Sequence, residues 1–393
     1  MPYRFPLATT TWDNEEIEAI HRVVNSGNLT MGENVKEYEH AFARYIGSKY
    51  CVMVNSGSSA NLLMVYALLF THNKNFAIHP GDEVIVPAVS WPTTYYPISQ
   101  CGLRMKFVDI DLRTLNYDLD QLESSVSDKT RIIFAVNLLG NPNNFTRINK
   151  IIGDRSILLL EDNCESLGAV YENRKTGNWG LMGSYSSYFS HHISTMEGGM
   201  ITTNDEELYQ ILLCLRAHGW TRNLPDHNLV CGKKKPSFFD ESFRFVLPGF
   251  NLRPLEICGA IGLCQIKKLP RLIDERRKNA SFFQDKMKDH PVIQIQDEIG
   301  DSSWFGFSLV IRPGLAIQRS DLLNKLEDSG IESRPIVAGN FARKEVTQYL
   351  EHTVFGDLPN ADHMDTMGLF IGNQHYPILD VIEKVSDFYK DLS

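Results

Sequence analysis

Short apolar runs alternating with longer stretches of helical period constrain this chain more than any other feature of its sequence. From about residue 50 onward that alternation is the pattern of a parallel α/β sheet. The expected strands are Tyr50–Val54, Glu83–Pro87, Met105–Val108, Arg131–Val136, Ile157–Leu160, Tyr185–Phe189 and Gly199–Thr203. Leu208, Ile211, Leu212 and Leu215 fall at i, i+3, i+4 and i+7, which predicts a helix with Asn204 and Glu207 as its capping pair. After about residue 270 the texture changes to a charged helix (272–290), an aromatic strand (302–311) and an acidic helix (320–329). The expectation is a large domain over residues 31–270 and a small α+β domain over 271–393 that takes in an N-terminal arm, 1–30. No Pro-, Gly- or Ser-rich linker separates them, so the two should pack tightly.

Composition narrows the function classes. With 39 Lys+Arg against 48 Asp+Glu the net charge is −9 and the pI about 5.8, without a basic cluster, which argues against a nucleic-acid or anionic-membrane surface. Seven cysteines are scattered with no Cys-x-Cys or Cys-x-x-Cys, as expected of reduced cytosolic thiols. The longest apolar run of the first third, Leu62–Phe70, is too short to span a membrane, and the N-terminus lacks the regions of a signal peptide. The expected location is the cytoplasm.

Three segments can carry chemistry. Asn55 to Asn61 is a small polar turn between a strand and a helix, where free amides and serine hydroxyls make an anion site; a serine-capped turn explains it equally without a ligand. Leu158 to Glu165 is an apolar strand that ends in carboxylates, at the edge of a parallel sheet where ligands bind. Asp162 suits a metal ligand, a helix cap or the partner of a protonated ring nitrogen, and taken alone it reads as a cap. Ser184 to Gly199 holds the adjacent pair His191-His192, which on a β segment point to opposite faces and so make a poor metal site. No other histidine cluster supplies ligands, so no metal is expected.

Together, and in this order, these segments resemble the sugar aminotransferase family (DegT/DnrJ/EryC/StrS) of pyridoxal-phosphate (PLP) enzymes. The resemblance extends from Gly32-Glu33-Asn34-Val35 through Val86-Pro87-Ala88-Val89-Ser90-Trp91 to Gly249-Phe250-Asn251-Leu252-Arg253-Pro254. It implies an aspartate aminotransferase-like fold (fold type I), with a large mixed, mostly parallel sheet and a smaller α+β domain. It also implies that Gly57, Ser58 and Ser186 bind the cofactor phosphate, that Asp162 pairs with the pyridine nitrogen, that Trp91 stacks on the ring, and that Glu165 lies near the ring hydroxyl. Asn251 falls in a segment that in the family reaches the neighbouring subunit's cofactor, so a homodimer with shared active sites is implied.

The departure from the family is informative. The lysine that anchors PLP sits six residues before the Glu of Glu-Gly-Gly, and here that residue is His191. No lysine occurs between Lys175 and Lys233 to replace it. Imidazole cannot form a Schiff base, so PLP, and its amine form pyridoxamine phosphate (PMP), should be held non-covalently. Histidine can still serve as base and then acid, with an ordinary pKa near 6.5. The histidine-bearing branch of the family implies removal of the 3-hydroxyl of a nucleotide-linked 4-keto-6-deoxy sugar, GDP-4-keto-6-deoxy-D-mannose. L-Glutamate would supply the amine and ammonia would be released, in the synthesis of a deoxysugar (colitose) for O-antigen lipopolysaccharide.

His218, Trp220 and Arg222 are candidates for the sugar diphosphate, since Arg matches phosphate bidentately; a solvated helix end explains them without a ligand. Three rival readings stand. One is a nucleotide-sugar aminotransferase that has lost its lysine. Another is an iron–sulfur sugar dehydratase, which the scattered cysteines disfavour. The third is a non-catalytic PLP-fold binding protein.

Overall fold

The structure is a computed structural model that describes residues 3–390. Met1, Pro2 and residues 391–393 of the expected arm and small domain lie outside the described residues. The apolar runs form an eight-stranded sheet from β1 (Tyr50–Val54), β2 (Glu83–Pro87), β3 (Arg104–Val108), β4 (Thr130–Val136), β5 (Leu158–Asp162), β6 (Met182–Ser186) and β7 (Gly199–Thr203). Strands β8 (Ile293–Gln294), β9 (Gly306–Ile311) and β10 (Ser333–Arg334) follow, then β11 (His352–Val354), which joins the large sheet, and β12 (Gly368–Gly372). The large sheet runs β1-β7-β6-β5-β4-β2-β3-β11. Only β7 is antiparallel to its neighbours, with Ser186 at the end of β6 paired to Gly199 at the start of β7. A second sheet, β8-β9-β12-β10, is antiparallel throughout and has its own core around Phe283, Phe307, Leu309 and Leu369.

Three expectations change in detail. The strand placed at Tyr185–Phe189 spans Met182–Ser186 instead, so His191 and His192 lie in the irregular segment after it rather than on a β segment. Asp205, not Asn204, caps helix Glu206–Arg216 by accepting from Leu208 N; the Asn204 side chain accepts from Lys49 N. The helix expected at 272–290 is the second half of one helix, Glu256–Met287, that passes unbroken through the expected boundary at 270/271.

That long helix joins the two halves of the molecule. Near its start the buried Glu256 carboxylate accepts from the amides of Gly32 and Asn34 and so fixes the segment before helix Glu33–Ile46. Further along, Phe283 and Met287 enter the second core. Between these ends Gln265 and Lys268 hold Glu16 of helix Asn14–Ser26, and Gln265 also accepts from Ser194 N in the segment that carries His191. Among the described residues no helix is long and apolar enough to cross a membrane.

Candidate active site

Parallel strands present their carboxyl ends to one edge, and loops leaving that edge converge there. Such an edge holds a cavity of about 540 Å3. Gly57 and Ser58 follow β1, Trp91 follows β2, Asp162 closes β5 with Glu165 just beyond, Ser186 closes β6, and His191 follows it. All seven line the cavity.

At one end Ser56 caps helix Gly57–Ala67, its Oγ accepting from Ser59 N at 3.1 Å. The Gly57 and Ser58 amides are first-turn donors without a helical acceptor, a ready anion site. Gly57 must be glycine, because a Cβ there would lie 2.7 Å from Ser186 Cβ and 2.8 Å from Cys164 Sγ. That close approach brings the Ser186 hydroxyl beside the free amides.

Asp162 is only 5% exposed. Its Oδ2 accepts from Asn61 Nδ2 at 2.7 Å and Thr94 Oγ1 at 2.8 Å, and its Oδ1 from Cys164 N at 3.1 Å. The carboxylate therefore caps no helix, and among the described residues no Lys or Arg pairs with it. Glu165 accepts from Leu139 N at 2.9 Å, and burial pushes its carboxyl up to about 7. Trp91, 58% exposed, offers an uncovered indole at the cavity wall.

His191 differs from its sequence expectation in acidity. Burial, reinforced by the Arg276 guanidinium, pushes its imidazole down to about 4, well below the ordinary 6.5. Its Nδ1 is buried without a hydrogen-bond partner, and the ring stands in the cavity wall. His192 turns elsewhere, bonding the Ser303 carbonyl through Nε2 at 3.0 Å. Because a lowered pKa extends the neutral form to lower pH, His191 should remain an unprotonated base through pH 6. In 15N NMR titrations of the unliganded protein, the imidazole signals lost in His191→Asn are expected to hold their neutral shifts until below pH 5; a midpoint near 6.5 would contradict this.

Four expected residues do not reach this cavity. Asn251 is exposed and accepts from Arg253 Nε. His218 and Trp220 contact each other edge to face, 5.0 Å between centroids, and Arg222 lies 4.5 Å over the Trp220 ring. Conversely, the sequence reading missed Asn61, Thr94, Arg276, Phe305 and Arg334, all of which line the cavity or orient Asp162. Asn61 sits in the phosphate-turn segment already singled out and was within reach; the others lie outside every motif.

A phosphorylated, protonated pyridine fits these groups. The free amides and Ser186 suit a phosphate, the indole suits a ring face, and the buried, unpaired Asp162 suits a ring N–H. Among the described residues no lysine lines the cavity, and no cluster of His, Cys, Asp and Glu suits a metal ion.

Comparison with known proteins agrees. Residues 10–384 match the DegT/DnrJ/EryC1/StrS aminotransferase family. GDP-4-keto-6-deoxy-D-mannose 3-dehydratase of Escherichia coli O55:H7 is 57% identical over 98% of this chain and 99% of its own. A solved structure of the E. coli enzyme with bound hydrated PLP superposes with a TM-score of 0.97 at 56% identity, covering 98% of this chain and 99% of that one. Another, of a GDP-4-keto-6-deoxymannose-3-dehydratase with a trapped PLP–glutamate geminal diamine, gives 0.96 at 56% identity over the same shares.

Proposed function

The chain belongs to the DegT/DnrJ/EryC1/StrS aminotransferase family, and from that premise we propose that it is a PLP/PMP-dependent 3-dehydratase of a GDP-linked 4-keto-6-deoxy sugar, acting in the cytoplasm. The observation that carries the reading is an imidazole, His191, at the family's lysine position in the wall of a cavity whose phosphate turn, indole and aspartate are intact. The overall balance closes. The sugar loses its 3-oxygen, glutamate becomes 2-oxoglutarate, and the nitrogen leaves as ammonia.

When bound, PMP supplies the amine that engages the 4-keto carbon and a ring that accepts electrons. Gly57, Ser58 and Ser186 would hold its phosphate, Trp91 would cover its ring, and Asp162 would keep its nitrogen protonated. His191, unprotonated at neutral pH, takes a proton at Nε2. The imidazolium so formed is a strong acid in this buried setting, and it hands that proton to the departing 3-hydroxyl, which leaves as water. A lysine ammonium at this position would be a far weaker acid.

The segment bearing His218, Trp220, Arg222 and Asn251, with the exposed Phe238, Phe239, Phe243 and Phe245, does not line this chain's own cavity. We read it as the surface of a homodimer that reaches the partner's cavity, where Trp220 and Arg222 would meet the nucleotide sugar.

Incubation with PMP, glutamate and GDP-4-keto-6-deoxymannose tests the reaction. A 3-deoxy sugar and ammonia are expected, whereas an amino sugar would favour an aminotransferase and no turnover a binding protein. Borohydride reduction of the PLP-loaded protein should leave no cofactor attached to the chain, and attachment at any lysine would refute non-covalent binding.

A further inference from the structure

The His191 side chain has no hydrogen bond at Nδ1, so its ring can be no better placed than the backbone that carries it. That backbone is irregular, and a segment without a ladder needs outside partners for its buried peptide groups. Ser187 and Thr195 close the segment on itself: Thr195 N donates to Ser187 O at 2.9 Å, and the two hydroxyls bond each other at 2.5 Å. Both peptide groups of the buried Ser194, three residues after His191, are instead taken by side chains from distant parts of the chain. Its N–H donates to Gln265 Oε1 at 3.1 Å, and its carbonyl accepts from Trp12 Nε1 at 2.9 Å.

Gln265, on helix Glu256–Met287, can receive that N–H in one orientation only. Fully buried, it donates through Nε2 to the Glu16 carboxylate at 2.7 Å, and a carboxylate only accepts. Lys268 holds Glu16 in turn, at 2.8 Å to each oxygen. The amide oxygen must therefore face the other way, where it accepts from Ser194 N and from Thr11 Oγ1 at 2.6 Å. Gln265 Nε2 also reaches Thr11 O at 3.3 Å, so the same glutamine seats the stretch of arm from which the Trp12 indole meets Ser194.

We propose that Trp12 and Gln265 are positioning residues for the reaction, and that their clamp on Ser194 sets where the His191 ring stands in the cavity wall. Neither residue lines the cavity, so both act through the segment they hold. The proposal rests on the assignment of His191 as the proton-transferring group and extends it to the N-terminal arm. A reacting group misplaced by about 1 Å can cost about 10^2-fold in rate. The residues assigned to the cofactor lie outside the stretch from 187 to 198, so a loosened clamp should lower kcat and spare cofactor binding.

Trp12→Phe tests this, since it keeps an aromatic ring and removes the N–H. In PMP-started sugar turnover kcat should fall about 10-fold, with PMP affinity and the sugar's KM within about twofold of the natural protein. Unchanged kcat overturns the proposal, as does a loss of affinity equal to the loss in kcat, which a merely structural role would give. In a His191→Asn background the same substitution should change the residual rate by less than about twofold, because no imidazole is left to misplace. An equal loss in both backgrounds overturns it. Hydrogen exchange gives a readout independent of turnover. The Ser194 amide of the natural protein should exchange about 100-fold more slowly than an open loop amide, and Gln265→Leu should speed it by about 10-fold. Exchange of the natural protein at the open-loop rate overturns the clamp even if neither variant folds. Failure of the His191 assignment itself would appear separately, as undiminished turnover of His191→Asn.

Discussion

Replacing His191 by asparagine should leave a folded, cofactor-binding protein whose dehydration is slower by about 10^3-fold, or about 4 kcal/mol in activation free energy. Folding should survive because the imidazole makes no side-chain hydrogen bond. Its Nδ1 has no hydrogen-bond partner; the residue is held by its amide to Tyr188 O and by packing of the ring on Tyr188 and Phe305. Cofactor binding should survive because the phosphate turn, Trp91 and Asp162 lie on other loops. What disappears is, among the described residues, the one imidazole that lines the cavity; the neighbouring His192 is bonded to Ser303. Rates of 3-deoxy sugar formation from PMP-loaded protein, set against cofactor affinity, make the comparison. Undiminished turnover would remove His191 from the reaction.

Asp162→Asn is expected to cost both stability and rate. Oδ2 accepts from Asn61 Nδ2 and Thr94 Oγ1, and Oδ1 from Cys164 N, so every contact is an acceptor contact. An amide nitrogen placed at either oxygen faces a donor. Turning Asn61 to relieve the clash would break the bond its Oδ1 accepts from Ser184 Oγ at 2.5 Å. One mismatched buried pair costs about 1–3 kcal/mol, which should show as a lowered Tm. Loss of the charge that keeps a ring nitrogen protonated should slow both half-reactions by about 10^2–10^3-fold, the scale of one removed electrostatic group. A variant with the natural Tm and rate would refute both assignments.

Legibility in the sequence followed the range of the interactions. β1, β2 and β7 have the bounds expected from their apolar runs, because a strand's pattern is local. The residues at the strand ends were legible through short motifs, each within a few residues of its strand. Arg276 was not. It lies 114 residues beyond Asp162, on a helix whose charged texture reads as a solvated surface, and only tertiary packing buries it. The boundary expected near 270 failed to coincide with a break for a related reason. Composition changes there because the helix leaves a neighbourhood packed on both sides for one packed on a single face, while the backbone continues. The acidity of His191 was hidden because it depends on burial and on that same distant guanidinium.

The return of β7 against the direction of its neighbours has a consequence for how such sites diversify. Because Ser186 and Gly199 are paired across the sheet, the stretch from 187 to 198 departs and lands at a single point, and Ser187 N to Gly198 O closes it at 2.9 Å. It is a cassette. Its anchors are fixed by the sheet, and doubling the length of such a loop adds only about 0.6 kcal/mol of closure entropy. The stretch that carries His191 can therefore be rewritten in sequence or length while the groups that hold the cofactor, mounted on other strand ends or, for Ser186, on the anchor itself, keep their places. Exchanging this one insert between family members is a direct route to recombining one protein's proton chemistry with another's binding pocket.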